Sequence, residues 1–484
     1  MNEKPEILSL SDPILKRVGA LADELGIEAF VVGGYIRDLL LGREVKDIDI
    51  VVVGDGIVFA KNAASILKRK NIIVYEKFGT AMLPLDDRII EFVGARKESY
   101  SESSRKPDVE GGSLADDLAR RDFTVNALAA SLNESRYGEV EDPFDGKSDI
   151  ERKILRTPLE PMQTFGDDPL RMMRAVRFAA QLGFSIDLET FAAIAKMTDR
   201  ITIVSQERIT DEFLKLMKSE RPSLGLKLMC ESGLMKIVLP EVAAMAGVDQ
   251  RDDIGTSPDD GRKYYHKDVL LHTLKVVDNI SAVTDNVWLR FAALVHDIAK
   301  PRTKMFRERI GWSFYGHEEI GARMQKGIFH RLRLPLEPLS YVEKLVRLHL
   351  RPMALVDDGV TDAAVRRLLF EAGNEVDDLM ILCKADITSK NPTLVTQYTA
   401  NYDRVYAKMR EVEEKDRIRN WQPPVKGDEI MQVCGLAPGP IIGKLKTAIE
   451  NAILDGEIPN EHDAALEFLL RIKDTILNSD SYGQ

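Results

Sequence analysis

The apolar positions of the first 140 residues change period several times. Residues 12–26 repeat at helical spacing and predict an amphipathic helix. "EAFVVGG" (28–34) and "DIDIVVVG" (47–54) are short Val- and Ile-rich runs that predict strands, with "YIRDLLLG" a short helix between them. "GIVFAKNAASILKRK" is helical again. "NIIVYEKFGTAML" and "RIIEFVGAR" predict further strands. This βαβ-rich opening reads as an α/β unit that ends near residue 140, after "DFTVNALAAS" and the turn "EDPFDG". Inside it, "RKESYSESSRKPDVEGG" (96–112) is charged, Ser-rich and aperiodic, which predicts a mobile loop. From about residue 150 the spacing is almost wholly helical. Polar breaks at 251–265 and 419–429 predict boundaries near 245 and 420.

One detail of the strand pattern is chemical. Asp47 and Asp49 stand one residue apart in an otherwise apolar strand. Positions i and i+2 of a strand point to one face, so the two carboxylates are expected as neighbours that need a cation between them. Mg²⁺ accepts a few carboxylates together with phosphate oxygens, and a two-ion site serves in-line phosphoryl transfer. Gly33 and Gly34 would let backbone N–H groups approach a triphosphate at a helix start. Glu91, in the neighbouring strand, offers a third carboxylate. A lone Asp-x-Asp is common, and its weight here comes from the strand context and from the Gly-Gly-x-x-Arg-Asp run ahead of it.

Composition narrows the setting. The 484 residues carry a net charge of −11, which argues against nonspecific coating of nucleic acid but allows a local basic track. "SILKRK", "RRLLF" and "GKLKTAIE" are candidate stretches for that track, on one concave side. The three cysteines are far apart and form no CxxC, which fits a reducing compartment. The chain has no run of about 20 apolar residues and its N-terminus lacks a secretory apolar core, so a cytoplasmic protein without membrane contact is expected. "PGPIIGKL" (438–445) does not meet the phosphate-loop pattern.

The ordered set "GGYIRDLLLG", "DIDIVV", "RRDFTVNALA" (120–129), "DDPLRMMRAVRFAAQLGF" (167–184) and "QERITDEFLKLM" (206–217) resembles the bacterial class II CCA-adding tRNA nucleotidyltransferases, of the DNA polymerase β superfamily. "GLAPGPIIGKLKTAIENAILDGEIPN" near the end is also similar to theirs. The resemblance implies an α/β nucleotidyltransferase (DNA polymerase β-like) head followed by an elongated all-α body. It implies a catalytic head at 1–140, a helical neck for base and tRNA recognition at 141–245, an HD-type metal domain at 246–420 and a tRNA-binding tail at 421–484.

The implied reaction is template-independent addition of C, C and A to the tRNA 3′ end from CTP and ATP, with Mg²⁺ on Asp47 and Asp49. Arg120, Arg121 and Asp122 would meet the triphosphate and ribose, supported by Asn126, Arg37 and Arg174. Asp168 and Arg171, three apart and expected on one helix face, would read the base. A carboxylate accepts from the amino group that cytosine and adenine share, while uracil and guanine present a carbonyl there. The family's Glu before this Asp is here Asp167. Arg96, Glu98, Tyr100, Arg105, Pro107 and Asp108 match the flexible segment that CCA-adding members carry and CC-only members lack. A monomer or a homodimer is compatible with all of this.

Only seven histidines occur. His272, His296 with Asp297, His317, His349 and Asp386 stand in an order that resembles the HD phosphohydrolase domain. Imidazole with carboxylate suits Mn²⁺, Ni²⁺ or Fe²⁺, and a metal-bound hydroxide would attack a phosphate. The alternatives are an HD phosphohydrolase with a nucleotide-sensing head, or a poly(A) polymerase, CC-only or A-only enzyme.

Overall fold

The computed structural model describes residues 7–45, 47–76, 79–86, 88–101, 104–249, 268–308, 311–356, 360–389, 391–416 and 421–481. It divides into two compact units, Met1–Pro240 and Glu241–Gln484. The polar break at 251–265 lies outside the described residues.

The first unit is built on a seven-stranded sheet. Its strands are β1 (Ala29–Val32), β2 (Ile48–Val52), β3 (Ile73–Tyr75), β4 (Thr80–Pro84), β5 (Ile89–Gly94), β8 (Ala129–Ser131) and β9 (Val140–Glu141). They lie side by side in the order β3-β4-β5-β2-β1-β8-β9. The expected run "NIIVYEKFGTAML" is two antiparallel strands rather than one. The sheet is mixed: β1 and β2 are antiparallel, while β2 and β5 are parallel. The α/β reading holds, but the short helix α2 (Gly34–Leu40) does not make a parallel crossover, which takes a dozen residues or more.

Local chemistry explains the elements. The helix α1 (Pro13–Leu25) starts where Asp12 accepts the Ile14 amide at 2.9 Å and Pro13 sets the first turn, and it stops at Gly26, φ 65°. Val31, Val32, Ile48, Ile50 and Phe92 are sealed in the sheet core. Helix α3 (Gly56–Ile66) covers β4 and β5. Segment 96–111 corrects an expectation. It is an antiparallel ribbon of β6 (Arg96–Ser101) and β7 (Ser104–Gly111), with Arg96 opposite Gly111 and a register shift between Ser99 and Ser101. A two-strand ladder pairs main-chain groups, so it needs no apolar alternation to form.

Helices follow: α4 (Leu114–Ala119), then Pro161–Asp167, Leu170–Leu182, Leu188–Met197, Gln206–Met217 and Pro222–Ser232. The second unit is a stack of helices from Val269–Ser281 to His462–Ser481, interrupted by a hairpin of Met305–Arg307 and Gly311–Ser313 that the helical reading did not contain. Its last three helices share a core of Val425, Ile430, Leu445, Ile449 and Leu469. Arg366 and Arg367 of "RRLLF" pair with the helix Pro440–Asp455. Arg367 donates to Asp455 from Nε at 3.0 Å and Nη2 at 2.7 Å, and Arg366 to the Leu454 carbonyl. No helix among the described residues is long and apolar enough to cross a membrane.

Candidate active site and metal centre

A cavity of about 950 Å³ opens over the parallel strands β2 and β5, where Asp49 and Glu91 stand side by side. Asp47, Asp49 and Glu91 all line it. Asp47 sits just ahead of β2; Asp49 is in it, beside Glu91 in the β2–β5 register. Burial pushes the Asp49 carboxyl up, and Arg121 offsets part of this while Asp47 adds to it. Burial and then Asp49 push Glu91 up. Two neighbouring carboxyls held above the usual carboxylate range favour a cation beside them.

The opposite wall is a cationic frame. Gly33 takes φ 69° at the turn into α2, and a Cβ there would stand 2.6 Å from Arg121 Nη1. Glycine is therefore needed for the turn, and it also leaves room for Arg121. Arg37 is buried and donates to Asp38 at 2.8 Å and to Asn126 Oδ1 at 2.6 Å. Asp117 is fully buried on α4, three and four residues before Arg120 and Arg121, and pairs with both guanidinium groups. Asp122 accepts from the Phe123 amide and Asn126 at 2.9 Å and from Arg174 Nε at 2.7 Å. Its burial opposes ionisation, yet Arg174 and Asn126 outweigh that and hold its pKa at about 2. Arg37, Arg174 and Arg177 surround the Phe178 ring, and Arg177 lies 3.8 Å from its centroid. Buried Glu212 accepts from Arg177 and lies 3.6 Å from Arg174.

Asp168 and Arg171 also line the cavity, but they do not share a helix face. Asp168 precedes Pro169 in extended backbone, φ −137° and ψ 101°, and the helix begins at Leu170. A residue before proline is driven from helical backbone. The Asp168 carboxylate accepts from the Leu170 amide at 3.2 Å and from Arg208 at 3.1 Å. Arg171 donates to the carbonyls of Thr164 and Arg120. Asp117, Arg208 and Glu212 are positioning groups that the sequence reading passed over. Asp117 was signalled by the i, i+3 and i, i+4 pairs in "DDLARRD"; Arg208 and Glu212 act on Asp168, Arg174 and Arg177 from another helix, which local spacing does not announce.

All six HD-type residues come together in the second unit. His272 Nε2 lies 2.8 Å from Asp386 Oδ1. His296 Nε2 lies 3.3 Å from Asp297 Oδ2, and His317 Nε2 lies 3.3 Å from Asp297 Oδ1. His317 and His349 face each other at 3.4 Å between Nε2 atoms. His296, His317 and His349 each hold Nδ1 2.7 Å from the carbonyl three residues back, so each aims Nε2 inward. His272 Nδ1 meets Thr388 Oγ1 at 2.8 Å. Lys300 Nζ lies 2.7 Å from Asp297 Oδ2. His296 Nε2, Asp297 Oδ1 and Asp386 Oδ1 are buried and make no good hydrogen bond. Burial disfavours charge on His296, but Asp297 and Asp386 raise its pKa to about 10; burial and His296 depress His349 to about 3. Two ligand trios result, His272–His296–Asp386 and Asp297–His317–His349. Orphaned donors of this chemistry fit a transition metal.

Models of known families match most of the chain. Residues 29–156 match the poly A polymerase head domain, 183–245 an RNA and SrmB-binding site of polymerase A, 269–390 the HD domain and 368–469 the tRNA nucleotidyltransferase domain 2. The multifunctional CCA protein of Nitrosococcus oceani is 30% identical over 75% of this chain and 86% of its own. The chain belongs to the CCA-adding tRNA nucleotidyltransferase family. The CC-adding enzyme of Thermus thermophilus is 29% identical over 90% of this chain and 92% of its own, and the A-adding enzyme of Deinococcus radiodurans is equally identical over 90% and 94%. The structure of the Bacillus stearothermophilus CCA-adding enzyme in complex with CTP shares the fold at a TM-score of 0.61. It is 24% identical, covering 97% of this chain and 100% of that one.

Proposed function

We propose that this tRNA nucleotidyltransferase adds C, C and A in turn, with the head cavity as the active site. The observation that carries this is the meeting, in one cavity, of three carboxylates, an arginine frame and the Asp168–Arg171 pair. The tRNA 3′-oxygen bonds to the α-phosphorus of CTP or ATP, and the bond to the β-phosphate breaks, releasing pyrophosphate. Mg²⁺, when held by Asp47 and Asp49, supplies positive charge to the phosphate oxygens. Glu91, raised by burial, is placed to take the 3′-hydroxyl proton. Arg120 and Arg121, preset by Asp117, grip the triphosphate. Asp122 stays ionised and offers an acceptor to the ribose. Asp168 and Arg171 select the base through hydrogen bonds that CTP and ATP satisfy and UTP and GTP leave unpaired.

Relatives of equal identity carry names for CC addition and for A addition, so the product must be read directly. The β6–β7 ribbon holds the Arg96, Glu98, Tyr100, Arg105, Pro107 and Asp108 pattern that the sequence resemblance ties to the full series. Sequencing the product of a tRNA lacking CCA, incubated with CTP and ATP, is expected to show one CCA triplet. Arrest after CC, addition of A alone or a long A tract would reject it. The tRNA affinity is expected to fall steeply with salt, through phosphate contacts in the neck and tail.

A second activity is favoured by the orphaned buried atoms of the HD trios. We infer that they hold Mn²⁺, Ni²⁺ or Fe²⁺, which when bound supplies an activated water for phosphoester hydrolysis. Elemental analysis of the purified chain, before and after chelation, tests this; absence of bound metal with any of the three ions supplied would refute it.

A further inference from the structure

The hairpin that interrupts the second unit, Met305–Arg307 with Gly311–Ser313, is unlike an ordinary turn. Phe306 is 52% exposed, Trp312 37% and Tyr315 64%. Three large rings left in water cost hydrophobic free energy, so their exposure calls for a partner. Each lies against another ring or a cation. Phe306 and Trp312 pack edge to face with centroids 5.3 Å apart. Lys304 Nζ stands 4.4 Å from the Trp312 centroid, and the Arg307 guanidinium 4.7 Å from that of Tyr315. Interleaved aromatic faces and cations suit bases and phosphates together.

The hairpin is also continuous with the HD centre. Its second strand leads through Phe314, whose carbonyl sets the ring of His317 at 2.7 Å and whose ring lies 5.7 Å from Lys300 Nζ. Lys300 in turn bonds Asp297. Tyr315 is thus two residues from a proposed metal ligand.

We propose that this hairpin stacks the unpaired terminal nucleotide of an RNA strand whose terminal phosphate lies at the HD centre. The inference rests on the reading of that centre as a metal site acting on phosphoesters, and adds to it a base-stacking subsite. The rings grip the base face, so the site tolerates different bases. Lys304 and Arg307 hold the backbone phosphate, giving a salt-dependent contribution.

The test uses the full chain and a single-stranded RNA trinucleotide ending in a 3′-phosphate, followed by tryptophan fluorescence. Binding is expected to quench the emission, and Trp312→Phe to remove most of the quenching. The double variant Phe306→Ala with Trp312→Ala is expected to weaken binding about 5- to 150-fold, in line with the stacking contribution of one base. Both rings are at the surface, so an unchanged melting curve confirms that the variants fold. Metal content should stay at the wild-type level, which separates this proposal from the reading it rests on. Loss of metal in the wild-type chain would sink the metal reading; retained metal with trinucleotide affinity within twofold in the double variant would sink the stacking proposal. Equal quenching by inorganic phosphate would also overturn it. So would a wild-type chain that dimerises in sedimentation while the double variant does not, since a second copy would then be the occupant.

Discussion

The head cavity and the HD centre both gather carboxylates and cations, yet they solve opposite problems. In the head, the acids line an open cavity, and the cations opposite them are guanidinium groups already locked by Asp117, Asp122 and Glu212. That arrangement suits a metal held weakly until triphosphate oxygens complete its shell. In the HD centre, most donors are buried imidazoles fixed by main-chain carbonyls, with His272 and Asp386 only half-buried. That arrangement suits a metal already held in the resting protein. On the proposed reading, one site serves a ligand that comes and goes and the other an ion that stays.

The largest expected effect breaks the comparison at its acidic end. Asp49→Ala should lower nucleotide incorporation about a thousandfold or more, since the metal's charge stabilisation is lost. Incorporation of labelled CTP into a truncated tRNA measures it, and a loss under tenfold would deny the carboxylates their role. His296→Ala should reduce bound transition metal about a hundredfold by elemental analysis, without changing the head. A smaller effect sharpens the view of the arginine frame. Asp117→Asn leaves Arg120 and Arg121 unpaired on one side and should cut kcat/KM for CTP about 10- to 100-fold, mostly through KM.

The smallest effect concerns stability. Folding raises the pKa of Asp49, so the ionised carboxylate costs stability at pH values above its ordinary 3.8. Asp49→Asn should therefore raise the melting temperature of metal-free protein by about 2–4 °C at neutral pH, and the gain should vanish as pH falls below 4. Asp122 has the opposite sign. Its lowered pKa contributes stability above 3.8 that is lost as pH falls towards about 2, on the order of 2 kcal/mol. A melting series from pH 7 to pH 3 checks both.

Much of this was legible in the chain. Val- and Ile-rich runs, the glycine pair and the spacing of His and Asp residues are local signals, and each led to the element or ligand group that the structure assembles. What escaped is what depends on the third dimension or on a single competing residue. Pro169 pulls Asp168 off the helix that its periodicity indicated. The ribbon at 96–111 forms through main-chain pairing that polar side chains do not advertise. The pairing of Arg367 with Asp455, 88 positions on, is announced by nothing nearby in sequence.

The most direct test of the division between the two sites gives each variant the other's assay. Asp49→Ala should lose CTP and ATP incorporation while keeping wild-type transition-metal content, and His296→Ala should lose that metal while adding CCA within about twofold of wild type. Nucleotide addition that survives in Asp49→Ala, or that collapses together with the metal in His296→Ala, would contradict the account.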